Sequence, residues 1–246
     1  MRLINSAAKK LLAHTVQSSA LTPLGRPLLN AINYALPFHH MYLSSLRKER
    51  RWISELIQGI RRERDMLIRP DEAFAVVLLA KAALKATGDL AEVGVYQGAS
   101  ARLICEVKGD RPLHLFDTFE GLPEPGGNDD KVFEQGKFNC SLESVRSYLR
   151  EFPNVHYYKG IFPATAGPVA ERKFAFVNLD VDLYESTRSA IEYFYPRMSA
   201  NGIILSHDYN GVSGVPKAIN EFFAGKPEPI VELMGSQCMI IKSSAE

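Results

Sequence analysis

Four ionisable residues lie in two short clusters, each directly after an apolar run of the kind that forms buried strands. The first cluster holds Asp180 and Asp182, and the second holds His207 and Asp208. Charged groups at the carboxyl ends of neighbouring strands cost free energy unless a partner compensates them. A bound divalent metal, a proton-transfer step or both would provide that partner. One cluster alone would more often be structural, but two clusters together favour a functional role.

A glycine-containing turn precedes both clusters in the chain. The stretch from Glu92 to Ser100 leads from a predicted strand into a predicted helix through Gly94 and Gly98, and glycine permits tight turns and close approach of a ligand. The dinucleotide fingerprint GxGxxG is absent, since the glycine spacing is GxxxG. Asp117, at the end of the next predicted strand, is placed to accept hydrogen bonds from ribose hydroxyls. The turn alone could be an ordinary one, but together with Asp117 it favours a nucleoside-bearing cofactor.

The elements that must hold these residues alternate between strand and helix from Asp89 onward. The predicted strands are 90–93, 113–116, 155–158, 174–179, 202–206, 229–234 and 238–241. One predicted helix begins at about residue 99, and three others span about 142–151, 186–195 and 215–223. Such alternation predicts an α/β fold, a Rossmann-like and mostly parallel sheet with helices on both faces.

The connection between Asp117 and Asn139 differs from the rest of this region. It is rich in glycine, proline, asparagine and aspartate and has little apolar periodicity. Long irregular connections inside compact domains are functional or disordered. Because this one leaves the carboxyl end of the second strand, where ligands bind in such sheets, we predict that it is a substrate-side lid.

The amino-terminal region is predicted to be a helical extension over residues 1–70, followed by the α/β domain over 71–246. Residues 1–64 hold 11 Lys/Arg and 3 Asp/Glu, and the remaining residues hold 18 and 25. A basic extension could contact nucleic acid, a membrane surface or a second copy of the chain. No basic and aromatic binding motif accompanies the charge, so we predict no nucleic-acid partner and interpret the extension as a solvated helical face that could support a homo-oligomer.

Cysteine usage and hydropathy predict a cytoplasmic protein. The three cysteines, Cys105, Cys140 and Cys238, are scattered and form no CxxC pair, so neither a disulfide framework nor a thiolate zinc site is indicated. No apolar run approaches the roughly 20 residues that a transmembrane helix needs. The first twelve residues lack the long apolar segment of a signal peptide, so export is not expected.

Several motifs of the chain resemble those of the macrocin O-methyltransferase family, which are class I S-adenosylmethionine-dependent enzymes. The motifs are Glu92–Gly98, Phe116–Gly121, Tyr158–Phe162, Asp180–Thr187, Gly202 and His207–Tyr209. The resemblance covers roughly residues 65–242. Its most specific part is the element Asp-x-Asp-x-Tyr-Glu-x-Thr and its spacing to the second cluster.

The resemblance implies S-adenosylmethionine as cofactor and a divalent metal, commonly magnesium. The residues expected at the cofactor are Glu92, Gly94, Tyr96, Gly98, Ser100, Asp117 and Thr118. Asp180 and Asp208 are expected as metal ligands and Asp182 as the catalytic base. The family often has a second acidic residue where this chain has His207. Because imidazole suits zinc, manganese or iron better than magnesium, His207 could ligate another ion, act as a base or orient Asp208.

The sequence therefore predicts a metal-assisted O-methyltransferase that acts on a hydroxyl of a sugar or glycosylated metabolite. A sulfonium methyl is already activated, so the protein must mainly align donor and acceptor and deprotonate a weakly nucleophilic hydroxyl. Two other hypotheses remain open. One is a nicotinamide-dependent Rossmann oxidoreductase, which the missing GxGxxG disfavours. The other is a non-catalytic protein that binds S-adenosylmethionine or a glycan, which the retained aspartates disfavour.

Overall fold

The computed structural model describes residues 50–243, all within one compact unit, Ser45–Glu246. The strands are β1 (Asp89–Val93), β2 (Leu113–Asp117), β3 (Val155–Lys159), β4 (Phe174–Leu179), β5 (Met198–Ser206), β6 (Val231–Glu232) and β7 (Cys238–Ile241). The helices are α1 (Arg51–Glu63), α2 (Pro70–Ala83), α3 (Ala99–Cys105), α4 (Leu142–Tyr148), α5 (Tyr184–Phe194) and α6 (Gly214–Phe223). Most of the predicted extension lies outside the described residues, so its boundary at residue 70 stays a prediction.

The seven strands form one sheet in the order β3-β2-β1-β4-β5-β7-β6. Neighbours among the first five are parallel, whereas β7 runs antiparallel to both β5 and β6. The chain thus crosses from one side of β1 to the other between β3 and β4. Such a switch point opens a crevice beyond the carboxyl ends of the central strands, where ligands bind in open α/β sheets. The predicted mostly parallel sheet is confirmed.

Helices cover both faces of the sheet, as predicted. Ala91 and Val93 of β1 belong to a buried cluster with apolar residues of α5 and α6. Glu92, between them, points to the other face because successive strand side chains alternate. On that other face, α2 contacts β4, β5 and α3. Burial on both faces explains why β4 has no exposed position and reads as a continuous apolar run.

Several predicted elements differ from the structure at their boundaries. Strand β5 begins at Met198 instead of residue 202, and helix α4 ends at Tyr148 instead of residue 151. The strand predicted at 229–234 is reduced to Val231–Glu232, an exposed edge strand after Pro229, where proline cannot continue a ladder of hydrogen bonds. Helix α5 begins at Tyr184 instead of Ser186, because the Tyr184 backbone N–H is capped by the carboxylate of Asp129, 55 residues away. That distant cap leaves no signal in the local sequence.

Among the described residues, no helix is both long enough and apolar enough to cross a membrane.

Candidate active site

A cavity of about 320 Å³ opens at the carboxyl edge of β1, β2 and β4. Nine predicted site residues line it: Gly94, Tyr96, Ser100, Asp117, Thr118, Asp180, Asp182, His207 and Asp208. The other two, Glu92 and Gly98, do not line it. The structure therefore places the glycine turn and both ionisable clusters around one space, although they are far apart in the sequence.

Gly94 brings the β1 turn into contact with the end of β4. Its φ is +85°, and a Cβ at this position would overlap the carbonyl oxygen of Asp180. An adjacent backbone hydrogen bond, from the Asp180 N–H to the Val93 carbonyl at 2.9 Å, joins the same two strand ends. Gly94 is thus required by packing between two strand ends, and not only by approach of a ligand as the sequence suggested.

Asp117 fixes the shape of that turn. Its carboxylate accepts hydrogen bonds from the backbone N–H groups of Val95 at 2.6 Å, Tyr96 at 3.0 Å and Phe119 at 2.6 Å. The three bonds occupy most of the oxygen lone pairs. Asp117 lines the cavity, so its expected contact with ribose stays a prediction, but its evident role is to hold the turn in place.

The loop between α1 and α2 forms a wall of the cavity that the motifs did not indicate. Asp65, Met66, Leu67 and Ile68 line the cavity. The loop is tied to the glycine turn by bonds from the Tyr96 hydroxyl to Asp65 at 3.3 Å and from the Asp65 N–H to the Gln97 side chain at 3.0 Å. The only local signal in the sequence is a three-residue apolar run after a basic helix.

The two ionisable clusters bring three carboxylates together. Asp180 lines the cavity but is largely desolvated by the surrounding protein. This burial is the main cause that raises the pKa of Asp180 well above its ordinary value, and repulsion from Asp208 adds to the shift. Burial also raises the pKa of Asp182 to about 8, with Asp180 and Asp208 adding to the shift. Asp182 and Asp208 both have a φ of +61°, in the left-handed region, which is uncommon for non-glycine residues but which aspartate adopts more readily than most.

The carboxylates suit a hard cation by chemistry, because oxygen ligands are those that magnesium and calcium prefer. The repulsion between Asp180 and Asp208 shows that positive charge between them would be stabilising. In the part of the chain that the structure describes, however, no three His, Cys, Asp or Glu side chains converge closely enough to hold an ion. Two aspartates therefore fit as partial ligands of a metal, whose remaining ligands would come from water or substrate.

His207 is oriented toward the protein interior. It is 2% exposed, and its Nε2 lies 3.0 Å from Oδ1 of Asn178. The side-chain nitrogen of Gln237 lies 3.4 Å from each ring nitrogen. Burial lowers the pKa of the imidazole, although Asp208 and Glu72 oppose that shift. Nε2 of His207 is thus engaged by Asn178, and its expected role as a metal ligand, as a base or in orienting Asp208 stays a prediction.

Glu92 lies behind the cavity wall. It is fully buried, its Oε1 accepts a 2.8 Å hydrogen bond from Asn178, and its Oε2 has no partner among the described residues. Burial raises its pKa to about 8, and the carboxylates of Asp180 and Asp117 add to the shift. A buried carboxyl without a cation is more stable protonated, so Glu92 is neutral near pH 7.

The predicted lid, the segment 118–139, is fastened at both ends. At its neck, backbone bonds join Leu122 to Lys137 at 2.8 Å and Gly136 to Leu122 at 2.9 Å. At its tip, Asp129 accepts the 2.7 Å bond from Tyr184 N–H that caps α5. The next residue, Asp130, accepts bonds from the N–H and hydroxyl of Ser213, just before α6, at 2.9 and 2.7 Å. The segment is therefore a fixed wall between the cavity and two helix amino termini.

A family model described as macrocin-O-methyltransferase (TylF) matches residues 76–233, more than half of the sequence. The chain belongs to this family. The resemblance drawn from the motifs is thus confirmed, and the matched region of this TylF-family protein runs from α2 to the residue after β6.

Curated relatives of this TylF-family protein include two enzymes of Streptomyces. One is the 8-demethyl-8-(2,3-dimethoxy-alpha-L-rhamnosyl)-tetracenomycin-C 4'-O-methyltransferase of Streptomyces olivaceus, 31% identical over 61% of this chain and 64% of that protein. Another is the demethyldecarbamoylnovobiocin O-methyltransferase of Streptomyces niveus, 28% identical over 56% of this chain and 58% of that protein. The alignments span less than two thirds of each relative.

Solved structures with the same fold include two O-methyltransferases. NovP superposes with a TM-score of 0.65 at 22% identity, covering 72% of this chain and 82% of that one. The calicheamicin methyltransferase CalS11 superposes with a TM-score of 0.63 at 18% identity, covering 90% and 94%. These likenesses establish the class I methyltransferase fold.

Gly214→Ala tests the attachment of the lid tip. A Cβ at this position would lie 2.5 Å from Asp129 Oδ1 and 2.9 Å from Tyr184 N. We expect the Asp129 cap to be displaced and the free energy of unfolding to fall by about 1–3 kcal/mol, as measured by urea denaturation. The control is Gly225→Ala, where nothing lies within 4 Å. Equal stability of the two variants would contradict the attachment.

Glu92→Gln tests the buried neutral carboxyl. Because the pKa of Glu92 rises from 4.5 to about 8 on folding, the native state binds this proton more tightly than the unfolded state, and wild-type stability falls as pH rises through this interval. The glutamine variant has no such proton. We therefore expect its free energy of unfolding, relative to wild type, to increase between pH 4.5 and 8.

The exposed Glu151→Gln controls for the change in net charge. A Glu92→Gln difference that stays constant across this pH range would show that Glu92 is ionised in the native state.

Proposed function

We propose that this protein is an S-adenosylmethionine-dependent O-methyltransferase that acts on a hydroxyl of a sugar or glycosylated metabolite with the help of a divalent metal. The observation that carries the proposal is the shared cavity, where the glycine turn beside Asp117 meets Asp180, Asp182 and Asp208. Family membership supports the same activity. By their names, the two relatives are O-methyltransferases of a rhamnosyl-tetracenomycin and of demethyldecarbamoylnovobiocin.

The charge of the cavity fits a sulfonium cofactor. Its lining has six acidic side chains: Asp65, Glu72, Asp117, Asp180, Asp182 and Asp208. No lysine or arginine of the described residues lines it. Such a field favours a cation, and S-adenosylmethionine carries a positive sulfur next to the methyl group that it donates. A solved structure of the same fold, the O-methyltransferase from Bacillus cereus, is a complex with S-adenosylhomocysteine.

The acidic cluster supplies the acceptor side of the reaction. Burial raises the pKa of Asp182 to about 8 without a cation; positive charge bound beside it would lower that pKa and ionise the carboxyl. Asp182 could then take the proton of the acceptor hydroxyl as the methyl group moves to its oxygen. Asp180 and Asp208 would hold the divalent cation, which when bound lowers the pKa of a coordinated hydroxyl. The α1–α2 loop and the lid would enclose the reacting groups and limit the access of water.

The two alternative functions receive less support. A nicotinamide-dependent oxidoreductase would need a diphosphate site, which an acidic cavity disfavours. A non-catalytic binding protein would have no need for three desolvated carboxylates around one cavity, because their burial costs stability. Localisation in the cytoplasm, and a homo-oligomer formed through the amino-terminal helices, stay predictions. Light scattering on a variant without residues 1–40 would test the oligomer.

Cofactor binding and turnover test the activity. We expect titration calorimetry to show binding of S-adenosylmethionine, and a methyl-release assay to show turnover with members of a glycoside panel. Asp117→Ala should weaken cofactor binding at least about tenfold, because it leaves three turn N–H groups without their acceptor. The exposed Asp110→Ala is the control. Absence of binding at millimolar cofactor would refute the activity, and binding without turnover would favour the non-catalytic alternative.

Metal removal tests the role of the acidic cluster separately. We expect a chelator to abolish turnover and a divalent cation to restore it. Asp180→Ala should lower kcat by about 100-fold, since a metal contributes several kcal/mol to stabilising the reacting oxygen. Turnover that survives thorough chelation, together with a wild-type rate for Asp180→Ala, would show that no metal takes part.

A further inference from the structure

Three buried polar side chains form a row that extends from the cavity wall, where His207 lies, into the sheet, and each comes from one of three neighbouring strand ends. Glu92 comes from β1, Asn178 from β4, and His207 directly follows β5. Glu92 and Asn178 are opposite each other in the strand register. Their exposures are 0%, 0% and 2%. Buried polar side chains are stable when hydrogen bonds compensate for their desolvation. The hydrogen-bond partners of these three therefore indicate their role.

The hydrogen bonds in the row have a defined direction. Asn178 Nδ2 donates to Glu92 Oε1 at 2.8 Å, so the amide oxygen of Asn178 faces His207. That oxygen is an acceptor and lies 3.0 Å from His207 Nε2. Nε2 must therefore carry the hydrogen, and the remaining lone pair of a neutral imidazole is on Nδ1. The nearby donor is the side-chain amide of Gln237, at 3.4 Å.

A second set of hydrogen bonds links the surroundings of His207 to α2 and to the turn before β7. Gln237 Nε2 donates to the backbone carbonyl of Glu72 at 3.3 Å. The Glu72 carboxylate accepts from the Ser236 N–H and hydroxyl at 2.8 and 2.9 Å. Ser236 Oγ in turn accepts a 3.3 Å bond from the backbone N–H of Asp208. The backbone of Asp208, a predicted metal ligand, is thus held through Ser236 by the carboxylate of Glu72.

We propose that Asn178 and His207 are positioning residues for the active site and that His207 does not bind the metal. Paired through one hydrogen bond, they fix the ends of β1, β4 and β5 relative to each other. They thereby hold the cofactor turn on one side and the acidic cluster on the other. This inference rests on the proposed function, because the groups that they position are those of the cofactor and metal sites.

The position of Asn178 explains why its effect should reach both sites. It is two residues before Asp180, so a shift of its side chain moves the end of β4. The Asp180 N–H is bonded to the carbonyl of Val93, whose neighbour Gly94 contacts Asp180 in turn. A buried polar group left without its partner is costly, and the cost is relieved by movement of these strand ends.

Two variants of His207 separate positioning from metal binding. His207→Gln keeps an N–H donor near the place of Nε2, whereas His207→Leu keeps the bulk and removes the donor. The measurements are the affinity for S-adenosylhomocysteine by calorimetry, the affinity for Mn²⁺ by electron paramagnetic resonance, and thermal unfolding. Asp208→Asn is the reference for loss of a metal ligand.

We expect His207→Leu to weaken S-adenosylhomocysteine binding about tenfold and His207→Gln to restore it to near the wild-type value. We expect Mn²⁺ affinity to fall about 10- to 100-fold in Asp208→Asn and to stay near the wild-type value in His207→Gln. Asn178→Leu should reproduce the cofactor loss of His207→Leu, since each removes the same bond.

Two outcomes would overturn the inference. One is an equal loss of Mn²⁺ affinity in His207→Gln and Asp208→Asn, which would make His207 a ligand. The other is a His207→Leu protein that unfolds at a lower temperature but binds S-adenosylhomocysteine as well as wild type, which would make the pair merely structural. If His207→Leu does not fold, His207→Gln and Asn178→Leu carry the same comparison.

The same measurements distinguish a failure of the proposed function from a failure of this inference. If wild type binds S-adenosylhomocysteine but no Mn²⁺, the metal site is refuted and the cofactor affinities alone decide the positioning role. If wild type binds neither, the proposed function and the inference that rests on it are both refuted.

Discussion

The contact between the β1 turn and the end of β4 is the constraint on which the site depends. Gly94 approaches the Asp180 carbonyl so closely that no side chain fits between them, and the Asp180 N–H is bonded to Val93. The glycine turn after β1 and the first aspartate cluster after β4 therefore share one backbone junction. A group transfer depends on the alignment of its two reactants, since a misplacement of about 1 Å can cost about 100-fold in rate, and a junction of backbone atoms is less adjustable than one of side chains.

The acidic cluster is the costly part of this arrangement. Burial raises the pKa of Asp180, Asp182 and Asp208; repulsion from Asp208 adds to the shifts of Asp180 and Asp182, and repulsion from Glu72 adds to that of Asp208. Two of the three have left-handed backbone. Such backbone strain is maintained when the surrounding contacts hold the conformation in place. Here those contacts are the junction at Gly94, the buried pair of Asn178 and His207, and the lid tip docked on α5.

Some boundaries of the helices and strands could be predicted from the local sequence, and others depend on tertiary contacts. Strands such as Phe174–Leu179 were predicted at their observed limits, because a continuous apolar run signals burial on both faces. Helix α5 was placed two residues late, because its first N–H is capped from the lid by Asp129. The wall formed by the α1–α2 loop was missed, since Met66 and Leu67 carry no motif that a cofactor requires.

The sequence by itself determined the alternation of strands and helices, the family, and which residue types meet at the carboxyl edge of the sheet. These follow from periodicity and motif spacing, which are local properties. Only the tertiary structure decided the direction of individual side chains. His207 was expected to ligate a metal, act as a base or orient Asp208, and the structure adds that its ring is hydrogen-bonded to the buried Asn178. A one-dimensional pattern places a residue at a strand end, but packing and hydrogen bonding decide which way it faces.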